Sequence, residues 1–223
     1  MEDTNVNQTD KDGITPLMEA VMKGRESVVK ALLQHPEIDI NKEDREGHTP
    51  LIYSAISNHV SIAEALLQHP DIDINKEDKE GQTPLICSAS LRNTIIVKAL
   101  VQRPEIDINK VNIFGESALL NTIWSGNVGV VKALLQHPEI DVNKANRNGS
   151  TPLILAAERG IEGIAKALLQ HPEIDINIED KKGGTALWYS RRRSRVARYV
   201  ESEQKQEEFL QIIRMLEARN ARE

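Results

Sequence analysis

Residues 31–51 read A-L-L-Q-H-P-E-I-D-I-N-K-E-D-R-E-G-H-T-P-L, and residues 65–85 give almost the same string again. Related copies begin at Ala99, Ala133 and Ala167, and the turn glycines Gly13, Gly47, Gly81, Gly115, Gly149 and Gly183 follow one another every 34 residues. A fixed period of this length constrains the fold more than any other feature. Each unit can bury its apolar face only against its neighbours, so stability is a sum of local interfaces rather than the product of one central core.

Within a unit the residues dictate the local structure. Asp10-Lys11-Asp12-Gly13 suits a type I turn, with the carboxylate capping the turn and Gly in the tight last position. Thr15-Pro16 starts a helix: Thr accepts a free N–H, and Pro at the first helical position has none to lose. Gly24 stops that helix, and its equivalents are Asn58, Arg92, Gly126 and Gly160. A left-handed arginine costs about 1–2 kcal/mol, so Asn93 is expected to take over at that stop, or the loop to differ there. Val28, Val29, Leu32 and Leu33 form the buried stripe of a second helix. Pro36 ends it, and Ile38-Asp39-Ile40-Asn41 alternates as an extended arm would.

These motifs resemble the ankyrin repeat. Each unit opens with D/N-x-x-G-x-T-P-L and closes with pairs of the V-V-K-A-L-L type, over residues 10–187 and by extension the C-terminal helix. The family's T-P-L-H has lost its His, for the fourth position holds Met18, Ile52, Ile86, Leu120, Ile154 and Trp188. His-Pro-Glu-Ile replaces the usual Gly-Ala, which lengthens the unit beyond the family's 33 residues. The resemblance implies an all-α, ankyrin-repeat solenoid of stacked helix-turn-helix units joined by hairpin-like loops. Its organisation is a flexible tail over residues 1–9, a repeat domain over 10–190 with units starting near 10, 44, 78, 112, 146 and 180, and a capping helical extension over 191–223.

Net charge is −6 and disfavours nucleic acid as a partner. Cys87 is the only cysteine, so no internal disulfide can form, which fits a reducing compartment. No secretory signal or membrane-length apolar run is present, and the acceptor-like Asn7-Gln8-Thr9 and Asn148-Gly149-Ser150 are therefore not read as glycosylated. The expected molecule is a cytoplasmic monomer, not an enzyme, with no cofactor, metal site or membrane contact. Near-verbatim copies also occur in repeat families of protists and host-associated bacteria, so a secreted effector or adaptor, or a non-catalytic targeting subunit, is the alternative.

Three constellations invite a chemical reading. His35, His69, His137 and His171 share one column with Arg103. Packed repeats lie about 10 Å apart and zinc–nitrogen bonds are about 2 Å, so a structural role at the helix C-terminus is expected instead of a metal row. Cys87 has no His partner at a repeat-related position. Residues 191–198 carry five arginines, read as a cap paired with Glu201, Glu203, Glu207 and Glu208. Nuclear import, or contact with nucleic acid or an acidic partner, is the alternative use of that run.

Function should reside where the copies disagree. Of the loop-tip pairs only Ile113-Phe114 is apolar, and the outward column of the first helix reads Met22, Ile56, Ser90, Trp124, Glu158 and Arg192. The resemblance implies that tips and first helices form a concave binding face. We therefore expect a protein or peptide partner anchored by Phe114, Trp124 and Ile113. Tyr53, Ile56 and Met22 share that face, and Arg45, Lys79, Glu116, Glu158 and Arg159 orient the partner.

Overall fold

The computed structural model describes residues 5–200 and 202–221. Among these residues there are twelve helices and no strand. They fall into two compact units, Met1–Ile113 and Phe114–Glu223. The first holds α1 (Pro16–Met22), α2 (Glu26–Leu32), α3 (Pro50–Ser57), α4 (Val60–Leu67), α5 (Pro84–Ser90) and α6 (Thr94–Val101). The second holds α7 (Ala118–Ser125), α8 (Val128–Leu134), α9 (Pro152–Arg159), α10 (Glu162–Leu169), α11 (Ala186–Val200) and α12 (Glu203–Asn220).

Each odd-numbered helix starts as its residues dictate. The hydroxyls of Thr15, Thr49, Thr83 and Thr151 accept the backbone N–H three residues on, with Pro behind the cap; Ser117 does the same ahead of Ala118. In the first unit α1 packs on α2 and α3, α3 on α4 and α5, and α4 on α2 and α6. In the second α7 packs on α8 and α9, α10 on α8, α9 and α12, and α11 on α9 and α12. The residues that stand in for the family's His, from Met18 to Ile154, are fully buried, so side-chain packing replaces the hydrogen bonds that a His would make.

The helix stop at Arg92 differs from expectation. Arg92 itself is left-handed at φ 65°, and Asn93 remains at φ −80° as the N-cap of α6. Asn93 is committed elsewhere: its Nδ2 donates to the Ala55 carbonyl oxygen at 2.5 Å in a buried setting. A buried carbonyl left without that donor costs about 1–3 kcal/mol, which is comparable to the strain at Arg92.

Connections between repeats are built from polar clamps. Asp44 Oδ1 accepts from the amides of Glu46 and His48 at 2.8 Å, closing a hairpin-like turn. The Arg45 amide then donates to Asp12 O, the Lys79 amide to Glu46 O and the Ile113 amide to Glu80 O. A Cβ on Gly47 would meet Asp78 Cα and Lys79 N at 2.9 Å, so glycine is what lets successive turns lie this close. The Ile38–Asn41 arm is not extended: Asn41 folds back so that its amide donates to Asp39 Oδ1. Its side chain donates to Asp71 O at 2.6 Å and accepts from the Asp73 amide at 2.8 Å. Asn75 makes the same pair with Glu105 and Asp107, and Asn143 with Glu173 and Asp175. Asn7, assigned from the sequence to a flexible tail, already clamps Glu37 and Asp39 in this way.

The basic run does not interrupt the last repeat; α11 continues through it. Phe209 of α12 is fully buried against the α9–α10 turn, where Gly160 leaves it room, and Lys205 Nζ donates to Gly160 O at 3.1 Å. Arg191 pairs with Glu217 instead of the acids expected, since Glu207 is taken by Arg214 and Glu208 by Lys205. Glu201 lies outside the described residues.

Candidate functional site

Trp124 lies one residue before the end of α7, a helix that turns Leu119, Leu120 and Ile123 into the core. At this phase its side chain points outward, and it is 52% exposed. Its Nε1 donates to Glu116 Oε1 at 3.3 Å. Arg159, the last residue of α9, places its guanidinium 4.6 Å from the indole centroid. Glu158, Ile161, Arg193 and Lys205 complete a groove of about 550 Å³. Three cations and two carboxylates, Glu116 and Glu158, thus surround an aromatic platform. Phe114, at the tip of the preceding turn, is 54% exposed.

The remaining predicted residues, Met22, Arg45, Tyr53, Ile56, Lys79 and Ile113, lie in the first unit. Ile56 and Ile113 are exposed, and Met22 is half-buried. Arg45 and Lys79 are exposed at turns whose backbones are pinned by the clamps above. Tyr53 is half-buried, with its hydroxyl donating to Asp44 Oδ2 at 2.5 Å and its ring 5.3 Å from that of His48. In the outward column Ser90 and Glu158 are also half-buried, and the Ser90 hydroxyl bonds back to Ile86 O. Ile161, Arg193 and Lys205 were missed from sequence. Lys205 comes from the extension that follows the last repeat, where no near-copy marks a position as variable, whereas Arg193 stands one residue after Arg192 of the outward column.

The histidine column is structural, for a different reason from the one expected. Nδ1 of His35, His69, His137 and His171 accepts the backbone N–H two residues on, at 3.2–3.3 Å, tying the His-Pro turn to itself. In the fourth copy Arg103 pairs with Glu105. Among the described residues no group of three His, Cys, Asp or Glu side chains could hold a metal ion. Burial pushes the Cys87 thiol up to about 12, assisted by the negative charge of Asp78. No helix among the described residues is long and apolar enough to cross a membrane.

Comparison with known proteins agrees with this architecture. A family model described as Ankyrin repeats (3 copies) matches residues 1–78, 71–146 and 139–206. Among solved structures, EF0377, an ankyrin repeat protein, is 27% identical over 94% of this chain and 98% of its own, with a TM-score of 0.79. The ankyrin repeat domain of Bcl-3, of the IkappaB family, is 23% identical over 96% and 86%, with a TM-score of 0.79. A third match, 22% identical over 95% and 99% with a TM-score of 0.72, is to one chain in the structure of a complex between the Bd0816 predatory endopeptidase from Bdellovibrio bacteriovorus and immunity protein Bd3460. No curated protein sequence matches the chain.

Proposed function

The chain belongs to the ankyrin repeat family, and from that premise we propose that it holds a protein or peptide partner on the face bearing Trp124 and Phe114. Ankyrin repeats are protein-interaction modules, and the fold is in general a binding scaffold rather than a catalytic centre. One of the matched folds comes from a complex between two proteins. The observation that carries the reading is Trp124: a large apolar side chain half in solvent, yet fixed by Glu116 on its N–H and Arg159 on its face. Such an indole is already in its bound shape and loses little entropy on association. Arg159, Arg193 and Lys205 bias the groove toward carboxylates, and Glu116 and Glu158 restrict which cations can approach. Within the first unit, Ile56, Met22, Arg45 and Lys79 offer a surface of their own, with Tyr53 held by its bond to Asp44.

The test is affinity capture with the full chain and a Phe114→Ala/Trp124→Ala variant, followed by titration of whichever protein is lost. Trp124→Ala alone should weaken that complex by roughly 2 kcal/mol or more. Unchanged affinity for every captured protein would place the docking face elsewhere.

A further inference from the structure

In five of the six repeats the third and fourth residues of the T-P-L motif are sealed. From Leu17-Met18 through Leu153-Ile154 none is more than 1% exposed. The first repeat shows where the seal comes from, because α1 packs on its own α2 and on α3 of the repeat that follows. In the sixth repeat the same two positions are open. Leu187 is half-buried and Trp188 is 45% exposed, while α11 packs backward on α9 and sideways on α12.

This end face has a definite chemistry. Thr185, Leu187, Trp188, Arg191, Arg192 and Arg195 line a groove of about 410 Å³, and no carboxylate is among them. The Arg192 guanidinium lies 5.1 Å from the Trp188 ring centroid. Arg191 reaches Glu217 at 2.7 Å, but both side chains are about half exposed, and an exposed pair of this kind exchanges readily for another carboxylate. The indole is wedged in place. Tyr189 meets it edge-on at 4.8 Å, and a Cβ on Gly184 would come within 2.6 Å of Tyr189 Cε2 and 3.2 Å of Trp188 Cε3. Glycine at that position makes room for the aromatic pair.

We infer that the outer face of α11 is a second binding site, independent of the Trp124 groove, which takes an acidic peptide segment of a partner protein. An aliphatic or aromatic side chain of the segment covers Leu187 and Trp188, and its carboxylates meet Arg192, Arg195 and Arg191. The apolar pair asks for an apolar partner atom, which a phosphate backbone does not supply. A chain of net charge −6 also repels a long polyanion more than a short segment with a few carboxylates.

The experiment is selection of short random peptides displayed against the full chain, followed by titration of a synthetic peptide carrying the enriched sequence. The selected peptides should combine Asp or Glu with Leu, Ile or Phe and weaken as salt rises. Trp188→Ala should lower affinity at least about tenfold, as should Arg192→Gln with Arg195→Gln, in chains whose far-ultraviolet circular dichroism is unchanged. Trp124→Ala should leave this affinity intact, which separates the end face from the groove proposed above. The inference is overturned if no acidic sequence is enriched, or if affinity ignores the Trp188 and arginine changes. It is equally overturned if oligo(dT) binds the face more tightly than the peptide, or if sedimentation shows a dimer that Trp188→Ala abolishes.

Discussion

The guanidinium of Arg159 stacks on the indole of Trp124 at 4.6 Å, joining the end of α9 to the end of α7. An exposed cation–π contact is worth about 0.5–1 kcal/mol, and Trp124 is half in water already. Trp124→Ala should therefore change folding stability by no more than about 1 kcal/mol in urea denaturation, well below the cost of about 3–5 kcal/mol for a buried aromatic. A loss in the larger range would make Trp124 a packing residue.

Asn75 holds two backbone groups of the following repeat with one amide. Asn75→Ala removes both bonds, and at about 0.5–1.5 kcal/mol each the loss should be roughly 1–3 kcal/mol. Amide hydrogen exchange should accelerate at Asp107, whose N–H loses its acceptor. Protection that survives the substitution would show the clamp to be incidental.

Gly160 and Gly126 share a left-handed conformation but not a neighbourhood. A Cβ at Gly160 would meet Phe209 Cζ at 2.7 Å, whereas one at Gly126 meets nothing within 4 Å. Both alanine variants carry the backbone strain; only Gly160→Ala also displaces Phe209. It should be about 1–3 kcal/mol more destabilising than Gly126→Ala in parallel urea titrations, and α12 should lose exchange protection. Equal costs would mean that the Phe209 contact contributes nothing.

Two turns carry a tyrosine on the capping aspartate: Tyr53 on Asp44 and Tyr189 on Asp180. Burial works against both carboxylates, but the phenol and the turn amides outweigh it and hold them below the ordinary value. Their contribution is present above the unfolded carboxyl range and is lost as pH falls through the depressed folded values. The phenols shift the opposite way. Tyr189 is raised to about 12, chiefly by its bond to Asp180, and Tyr53 is raised by burial and then by Asp44. That stabilisation is complete below the usual phenol value of about 10 and disappears as pH climbs through the folded one. With Tyr199, the third tyrosine of the sequence, changed to Phe, phenolate absorbance should show almost no ionisation at pH 10, and Asp180→Asn should bring one titration back toward normal.

Cys87 should be slow to alkylate. Raising a thiol from 9.0 to about 12 lowers its thiolate fraction at neutral pH on the order of a thousandfold. Iodoacetamide labelling of the folded chain should be correspondingly slower than in urea. Equal rates would show the thiol to be accessible and ordinary.

Much of this architecture was legible because the copies agree. Thr15-Pro16 and its relatives announce each helix start, and Gly24, Gly126 and Gly160 each stop. The outward phase of Trp124 was readable from its column as well. What escaped was anything set by a neighbour. Asn41 looks like a loop residue until Asp71 and Asp73 stand beside it, and the stop at Arg92 follows from the need of a carbonyl in the previous repeat. Lys205 lies in the extension that has no duplicate for comparison, and Trp188 stands in a column whose other members are core residues, so neither was marked by its copies as outward-facing.

The asparagine clamp has an evolutionary corollary. Asn41 and Asn75 each reach forward by one repeat and no further, and both grasp the same two backbone groups. Unequal crossing-over between such near-identical coding segments would excise or add one whole rung, and every remaining asparagine would still find its partner. Length is thus a freely heritable variable in this architecture.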